Sequence, residues 1–496
     1  MKKTDWFILA TTAAYSYLFY QQAPGINYFL FSILLIILCL AQNTSLLRRP
    51  AWVAAAAGTL LSGFAVFFLG TGLTIYANIA SLLLLAAFSL KPESSLFIAL
   101  LNSYYTLMMT VPTMILNATK VNNETTKTGT SKAKRFVLIL LPVAVAIIFL
   151  FLYRASNPLF ERVTDEINLD FISVEWMLFT LFGFLLMVAF FRQQAIEKYT
   201  GIDKNSPDQL SLITEEEHLK GKIAAMISLP NELFTGIILL ALLNVLLIFV
   251  NGTDIYFIYI IGKLPEGLSL SQYLHDGTDS LIVSIVLAIS IMLFYFRGRL
   301  NFVENNRTLR LLAYGWILQN IFMVATTAHR NYDYIANFGL THKRIGVYIF
   351  LSLCIIGLIT TFLKVYRIRS NWFIFRKNTW VWYTTLVIAA PVNWDAIIAN
   401  YNLTLAQNKN AHVDSEYLAE LSYTALPVLF NFYSAEKHTS VYSGIFDPIL
   451  LKKMNSGYSE LYGQVTKGSW QSTCITRALA KEHIVSLYIS PMPVSH

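Results

Sequence analysis

The chain has 496 residues, of which 55% are hydrophobic and only 13% are charged, and its mean hydropathy is +0.53. A soluble domain carries about 25% charged residues, so this composition excludes a soluble enzyme and predicts a polytopic membrane protein. The net charge of +8 does not indicate nucleic-acid binding, because the lysines and arginines lie mostly in short loops beside apolar blocks. Two of the three cysteines lie inside apolar blocks, which excludes a disulfide framework or a zinc cluster.

Apolar blocks of about 15 to 20 residues recur along the chain, and each is long enough for a helix that crosses a bilayer. We predict an all-α transmembrane bundle of eleven or twelve spans. The block at 94–117 is ambiguous because it contains Asn102 and Pro112. Counting it as non-spanning places the lysine-rich segment after it on the same side as Lys2 and Lys3. The other spans are predicted near 5–20, 25–41, 51–69, 73–90, 136–153, 174–191, 233–250, 279–296, 309–327, 345–363 and 378–392.

The basic residues also predict the sidedness of the later loops. The loops from Arg192 to Lys222, from Arg297 to Arg310 and from Lys364 to Lys377 carry five, four and five basic residues. We expect these loops to face the cytoplasm. The intervening loops and the polar tail then face outward. The short amphipathic patterns of the tail predict a small helical appendage that is not an independent domain.

Three polar clusters lie at the ends of the later spans, and the parity of the spans places all three on the outer side. The first cluster, 264–277, contains His275 and Asp276, and the third, 393–403, contains Trp394 and Asp395. Ionisable groups at a membrane boundary are costly unless they are paired, so we expect partners for them. The second cluster, 326–348, contains His329, Arg330, Tyr332, Asp333, Tyr334, His342, Lys343 and Arg344.

These clusters leave three interpretations open. In the first, the aspartates neutralise the cations and the aromatic residues anchor the protein at the interface. In the second, the cations and aromatic residues form a pocket for a phosphate or a carboxylate. Its ligand-binding residues would be Arg330, Lys343, Arg344, Tyr332, Tyr334, Trp394, His275 and Asp276. In the third, an enzyme uses the acid and base groups as catalytic residues, with His329, His342, Asp333 and Asp395 as candidates.

The same histidines and aspartates could offer nitrogen and oxygen ligands to a metal ion, but no pair has a recognisable ligand spacing. Neither a metal nor a cofactor is therefore predicted. The chain also has no Walker loop, GxSxG, HExxH or dinucleotide fingerprint, so an ATP-driven or classical hydrolase function has no support in the sequence. Inside the spans, we expect Asn244, Gln319 and Asn320 to form interhelical hydrogen bonds. No carboxylate is recognised in the middle of a span between 233 and 392, which argues against a proton-coupled carrier.

Several longer strings carry a family resemblance. Residues 339–348 read Gly-Leu-Thr-His-Lys-Arg-Ile-Gly-Val-Tyr, and further strings lie at 264–277, at 392–403 and around Tyr417 in the tail. On these residues, over roughly 170 to 430, the chain resembles a bacterial family of polytopic inner-membrane proteins of unknown function, DUF4173, which is related to DUF4153. The resemblance implies an all-helical fold and a location in the bacterial inner membrane. It implies no reaction.

We therefore expect N-terminal spans at 1–117, a polar loop at 118–135, a main bundle at 136–399 and a small appendage at 400–496. The preferred function is the binding or movement of an anionic amphiphile or small anion through a bundle with an outward-facing polar mouth. The alternatives are a membrane-embedded enzyme of envelope lipid or glycan chemistry, and a regulatory or assembly scaffold. Membrane lipids are the expected partners, and the tail is the surface for a protein partner.

Overall fold

The described chain is almost entirely helical, with one isolated β-bridge between Gln209 and Arg369. The computed structural model describes residues 2–120, 173–211, 229–256, 270–409, 414–436 and 448–489 and a few isolated positions, with side chains except at 117–120, 270–282, 408–409, 436 and 486–489. The predicted span at 136–153, apart from isolated positions, lies outside the described residues. So do most of the polar loop at 118–135 and the first half of the cluster at 264–277.

The described residues form seventeen α-helices. They are α1 (Lys3–Phe19), α2 (Ile26–Gln42), α3 (Pro50–Leu69), α4 (Gly72–Leu90), α5 (Leu96–Lys120), α6 (Val174–Phe191), α7 (Glu197–Asn205), α8 (Leu229–Ile255), α9 (Leu270–Tyr295), α10 (Arg307–Phe338), α11 (His342–Arg367), α12 (Asn371–Ala389), α13 (Trp394–Lys409), α14 (Ser415–Glu420), α15 (Leu426–Glu436), α16 (Pro448–Lys467) and α17 (Ile475–Ile489). The predicted helical tail is thus confirmed by α13 to α17.

Seven of the described helices are long and apolar enough to cross a membrane, namely α3, α4, α5, α6, α8, α10 and α11. An eighth span results if the bent pair α12 and α13 counts as one. Helices α1 and α2, with 17 residues each, fall just below this length. The protein is therefore an all-helical membrane protein, as its composition predicts. The eleven or twelve spans of the sequence prediction include regions that the structure does not describe.

Helix α5 differs from its prediction as a non-spanning block. It is one continuous helix through Pro112, and residues Leu96–Leu116 are long and apolar enough to cross a bilayer. Its polar residues do not interrupt it because they lie on one buried side and have partners. Asn102 donates to Thr200 Oγ1 at 3.2 Å, and Thr106 donates to its own helix at Asn102 O.

Helices α12 and α13 are separated by a bend of 66°. The bend follows from the sequence Ala390-Pro391-Val392-Asn393, because proline has no backbone N–H to continue a helix and disfavours helical geometry in the residue before it. Asn393 then caps the new helix by accepting from the backbone N–H of Ala396 at 3.1 Å. The pair is either one broken span or a re-entrant segment. The first turn of α13 therefore lies at the break between two helices.

The described helices group into two compact units, and the first contains residues 1–203, 386–391 and 462–479. In this unit α3 packs on α2 and α4, and α1 packs on α6. Gly183 on α6 permits the close approach of α1, since a Cβ atom there would lie 2.1 Å from Cδ1 of Tyr15. Asn78 is fully buried and donates to Ser32 Oγ at 3.0 Å and to Ser62 Oγ at 3.2 Å, so polar side chains hold α2, α3 and α4 together.

The second unit contains residues 204–385, 392–461 and 480–496. Its apolar core is built from α8, α9, α10 and α11 and includes Leu240, Ile285, Leu309, Trp316 and Leu358. Helices α8 and α10 run parallel in close contact. Their helix-to-helix hydrogen bonds show this, because Asn244 and Asn251 donate to Leu312 O and Gln319 O at the same sequence separation of 68 residues.

The predicted interhelical bonds of Asn244 and Gln319 are confirmed, because Nε2 of Gln319 donates to Oδ1 of Asn244 at 2.7 Å. The prediction for Asn320 is wrong. Its Nδ2 donates to the carbonyl of Trp316 at 2.8 Å, on its own helix. A buried amide on a helix can satisfy a donor against the preceding turn, so burial alone does not require a partner on another helix.

Candidate functional site

The second and third polar clusters of the sequence meet at the turn between α10 and α11. Helix α10 continues beyond its predicted end to Phe338, and its 32 residues span about 48 Å, against about 30 Å for a bilayer core. Gly339 ends it with φ +79° and ψ 178°, a backbone conformation that is essentially restricted to glycine. Thr341 then caps α11 by accepting from the backbone N–H of Arg344 at 3.4 Å.

Helix α13 holds this turn through Asn402. The amide of Asn402 accepts from the backbone N–H of Leu340 at 2.6 Å and donates to the carbonyl of the same residue at 2.9 Å. A Cβ atom on Gly339 would lie 2.6 Å from Oδ1 of Asn402, so α13 lies directly against the turn. The turn and the first part of α13 therefore form a single packed element.

His342 is bonded on both ring nitrogens. Its Nε2 lies 2.6 Å from Oδ1 of Asp395, and its Nδ1 lies 3.0 Å from the hydroxyl of Tyr417. The other oxygen of Asp395 accepts from the backbone N–H of Ser422 at 3.0 Å. The side chain of His342 is half exposed, whereas that of Asp395 is mostly buried. A carboxylate of α13 thus orients the imidazole while leaving it accessible.

The Tyr417 hydroxyl has a defined direction of donation. It accepts from the backbone N–H of His342 at 2.8 Å, so its own proton is available for Nδ1 of the imidazole. Burial raises the pKa of the Tyr417 phenol, which keeps it a neutral donor. The phenol, the imidazole and the carboxylate of Asp395 can therefore pass a proton along one chain of hydrogen bonds.

The two other cations of the turn have no carboxylate partner among the described side chains. Arg344 donates to the carbonyls of Phe338, at 2.8 Å, and Gly339, and its guanidinium lies 4.0 Å from the ring centroid of Tyr334. Lys343 is exposed and forms no hydrogen bond or ion pair with the described residues. The first turn of α11 therefore carries two positive charges that no described acidic group neutralises.

Arg330 is paired in a way that the sequence analysis did not foresee. Its guanidinium bonds to Oδ2 of Asp254 on α8, which also accepts from Thr326 Oγ1 at 2.9 Å. The interpretation in which Asp333 or Asp395 neutralises Arg330 is therefore wrong. Asp254 is buried but lies in the last turn of α8, beyond the predicted end of that span at residue 250, so it does not contradict the expectation that no carboxylate lies in the middle of a span.

The remaining predicted residues are less closely connected to the turn. Nε2 of His329 lies 3.6 Å from Oδ2 of Asp333, and both side chains are more than 40% exposed. Tyr332 is exposed, and its ring lies 6.5 Å from that of His329. Trp394 occupies the first position of α13, beside Asp395. His329, Asp333 and Tyr332 thus lie close together on α10.

His275 and Asp276 fall in the first turns of α9, where side chains are outside the described part of the structure. Within the described residues, no three His, Cys, Asp or Glu side chains gather in a way that could hold a metal ion. His342 and Asp395 are the only members of the candidate catalytic set that the described structure brings together across two helices.

Sequence reasoning missed Asp254 and gave no role to Asn402 or Tyr417. A signal for Asp254 was present, because Asn244, Asn251 and Asp254 lie 7 and 3 residues apart and so share one helix face. A polar stripe of this kind on an otherwise apolar helix marks the side that faces the bundle. No comparable signal existed for Asn402 and Tyr417, since their partners lie across a bend and a chain turn.

The comparisons with known proteins agree with this picture of a membrane protein without an assigned reaction. The model of the family described as Domain of unknown function (DUF4153) matches residues 7–432, which is most of the chain. No curated protein and no solved structure matches. The match confirms the resemblance to a family of unknown function and extends it into the first predicted span.

Proposed function

The chain belongs to the DUF4153 family of unknown function, and we propose that it binds an anionic amphiphile or a small anion at the first turn of α11 and moves it through the second helical unit. The observation that carries this proposal is Lys343. It is exposed, it adjoins Arg344, and neither cation has a carboxylate partner among the described side chains.

Helix electrostatics supports an anion at this position. The N-terminus of a helix carries a partial positive charge that attracts anions and makes cationic side chains unfavourable. Lys343 and Arg344 add two charges to that end of α11, so a bound phosphate or carboxylate would relieve their repulsion. The turn lies at the end of two helices that can cross a membrane, where the charged headgroup of an amphiphile would be found.

This proposal leaves fewer cations at the predicted polar mouth than the sequence suggests. Arg330 is neutralised by Asp254, so Lys343 and Arg344 remain as the cations that an anion would meet first. Exposed Tyr332 remains a candidate contact, and Trp394 and Tyr334 a candidate aromatic wall. We further propose, from the distribution of basic loops, that the protein resides in the bacterial inner membrane with this turn outward. Membrane lipids are its proposed partners, and the tail remains the proposed surface for a protein.

The test is thermal unfolding of the purified protein in nanodiscs of phosphatidylcholine, with and without phosphatidylglycerol. We expect phosphatidylglycerol to raise the melting temperature of the wild type and to raise that of Lys343→Ala much less. Inorganic phosphate added to phosphatidylcholine nanodiscs distinguishes a small anion from an amphiphile. Lys198→Ala is the matched control, because Lys198 is an exposed lysine on α7 with no described partner. An equal response of Lys343→Ala and wild type to both anions would contradict the proposal.

A membrane-embedded enzyme is the second candidate, and the bond between His342 and Asp395 favours it. Asp395 orients His342 through one ring nitrogen and the Tyr417 hydroxyl occupies the other, so His342 would act as a general base through Tyr417, which would take a proton from the substrate as it gives its own to the imidazole. The nucleophile and the substrate would come from envelope lipid or glycan.

The enzyme candidate is tested by incubating the wild type in nanodiscs of bacterial polar lipid and following the headgroup masses by mass spectrometry. We expect His342→Gln and Asp395→Asn to abolish any conversion and His329→Gln to retain it. His329 is the matched control because it also lies beside an aspartate, but one on its own helix and not on α13. The absence of conversion by the wild type, or its persistence in His342→Gln, would rule out this candidate.

A further inference from the structure

One segment of the C-terminal tail contacts helices at the N-terminal end of the chain. We call residues 469–477 the tail strap. It covers the connection between α16 and α17 and the first residues of α17. The strap bonds to Gln22 and Phe68, which lie 450 and 408 residues earlier in the sequence. All of these residues belong to the first compact unit, so the tail strap is part of the N-terminal helical unit.

Serine hydroxyls fix the strap to the connection between α1 and α2. Oγ of Ser472 donates to Oε1 of Gln22 at 2.9 Å, and Oγ of Ser469 donates to the same oxygen. Oγ of Ser472 also accepts from the backbone N–H of Ala23 at 3.0 Å. The side chain of Gln22 thus recognises two hydroxyl groups that lie three residues apart in the strap.

The strap also bonds to groups at the ends of two helices. The carbonyl of Thr473 accepts from the backbone N–H of Ile26, the first residue of α2, at 2.8 Å. Oγ1 of Thr476 donates to the carbonyl of Phe68, in the last turn of α3, at 2.6 Å. The first N–H groups and the last C=O groups of a helix have no partner within that helix. The ends of α2 and α3 therefore require a segment that offers both an acceptor and a donor, and the strap supplies them.

The contact is close in shape but partly open to water. A Cβ atom on Gly25 would lie 2.4 Å from the carbonyl oxygen of Thr473, so the backbones of the strap and of its partner touch. Gln471 and Cys474 are buried, whereas Trp470 is 51% exposed. A hydrogen bond that water can replace stabilises a contact only modestly. The strap therefore fits its site closely and is held by bonds that can be exchanged for bonds to water.

The strap lies beyond residue 432, where the match to the family model ends, whereas the residues that it contacts lie inside the matched part. We propose that these residues form a binding site, the strap site, for a short turn-forming peptide segment that bears hydroxyl groups, and that the tail strap occupies this site in cis and can leave it. The inference does not depend on the anion proposed at Lys343, because the strap and its site belong to the first unit. The strap site consists of Gln22, Ala23, Gly25, Ile26 and Phe68.

Hydrogen exchange of the purified wild type in phosphatidylcholine nanodiscs tests whether the strap leaves its site. We expect peptides that cover the strap and the start of α2 to exchange together. They should exchange faster than peptides from the middle of α3 and α4, because a local opening costs less than unfolding of the whole unit. Exchange of the strap only at the rate of α3 and α4 would overturn the proposal, since the strap and the helices would then open as one.

A fluorescent synthetic peptide with the sequence of residues 467–478 tests the site itself, with fluorescence anisotropy of the peptide on the full chain as the readout. In the wild type the strap competes at an effective concentration on the order of millimolar, so we expect weak binding. Replacing Ser469 and Ser472 together by alanine weakens the strap and leaves the site intact. This serine variant should bind the peptide about tenfold more tightly. Thr466→Ala is the matched control, because its hydroxyl bonds within α16, and it should bind as weakly as the wild type.

Adding Gly25→Ala to the serine variant should abolish peptide binding, because the new Cβ would meet the carbonyl that Thr473 of the peptide presents. Gly72→Ala is the matched control in the same background, since nothing lies within 4 Å of its Cβ position, and it should retain the tighter binding. Equal affinity of the peptide for the wild type and the serine variant, or binding that survives Gly25→Ala, would overturn the proposal.

Discussion

Arg330 on α10 pairs with Asp254 on α8, which lies 76 residues away in the chain, although Asp333 is one turn further along its own helix. The side chains of the pair are 13% and 10% exposed, whereas that of Asp333 is 46% exposed. A carboxylate in a buried position interacts more strongly with a guanidinium than one screened by water. The pair therefore fixes the last turn of α8 against α10.

Replacing Asp254 by alanine should destabilise the protein strongly, by about 3–5 kcal/mol, because it leaves the charge of Arg330 buried without its partner. The measurement is equilibrium unfolding of the purified protein in mixed micelles as the denaturing detergent is increased. Asp333→Ala is the control and should change the unfolding free energy by less than about 1 kcal/mol, since its contact is exposed. Equal losses in the two variants would contradict the assigned pairing.

Replacing Gly339 by alanine should cost about 1–3 kcal/mol, because the backbone conformation there excludes a side chain and the new Cβ would meet Oδ1 of Asn402. Thermal unfolding reports the effect. Gly346→Ala on α11 is a matched control, since nothing lies within 4 Å of its Cβ position and its helix should gain up to about 1 kcal/mol. A Gly339→Ala protein as stable as the wild type would mean that the turn adopts another conformation.

The bond between Asn244 and Gln319 should appear as a coupling energy of about 0.6–2 kcal/mol in a double-mutant cycle of leucine substitutions. Each single variant leaves the remaining amide without its partner, whereas the double variant removes both amides. A parallel cycle of Asn244 with Asn320 should give no coupling, because those side chains do not bond to each other. Coupling of the same size in both cycles would indicate a general packing effect.

Replacing Asn402 by alanine should free the backbone of Leu340 from α13. We expect faster amide hydrogen exchange in a peptide that covers the turn from Phe338 to His342, because a hydrogen-bonded amide exchanges only when its hydrogen bond opens. Asn337→Ala removes an amide that bonds only within α10 and serves as the control. Unchanged exchange at Leu340 in Asn402→Ala would show that α13 does not hold the turn.

The helical fold could be predicted from the sequence because apolar length is a direct requirement of the bilayer. The block at 94–117 differs from its prediction, which rested on its polar residues and on the positive-inside argument. On α5, Asn102 and Thr106 face the bundle and are hydrogen bonded, so they do not prevent a helix from being apolar on its other side. The positive-inside argument counts basic residues in loops and takes no account of which side of a helix its polar residues occupy.

The site could be predicted only in part. The grouping of residues 326–348 with 393–403 followed from sidedness, and the structure brings these segments together at His342 and Asp395. The ion-pair partners of His342 and Arg330 could not be predicted. They depend on the bend after Ala389 and on which side of α8 faces α10. Sequence proximity favoured Asp333 for Arg330, but burial decided in favour of Asp254.

The separation of Asp254 and Arg330 along the chain has a consequence for synthesis in the membrane. Helix α8 emerges from the ribosome before α10, and Arg330 is added 76 residues after Asp254, which at about 5–20 residues per second takes roughly 4–15 seconds. During that interval the carboxylate lacks the guanidinium with which it pairs in the folded protein. Because Asp254 lies in the last turn of α8, its carboxylate can remain at the membrane–water interface until Arg330 is inserted. The arrival of Arg330 then completes an assembly step that α8 cannot carry out alone.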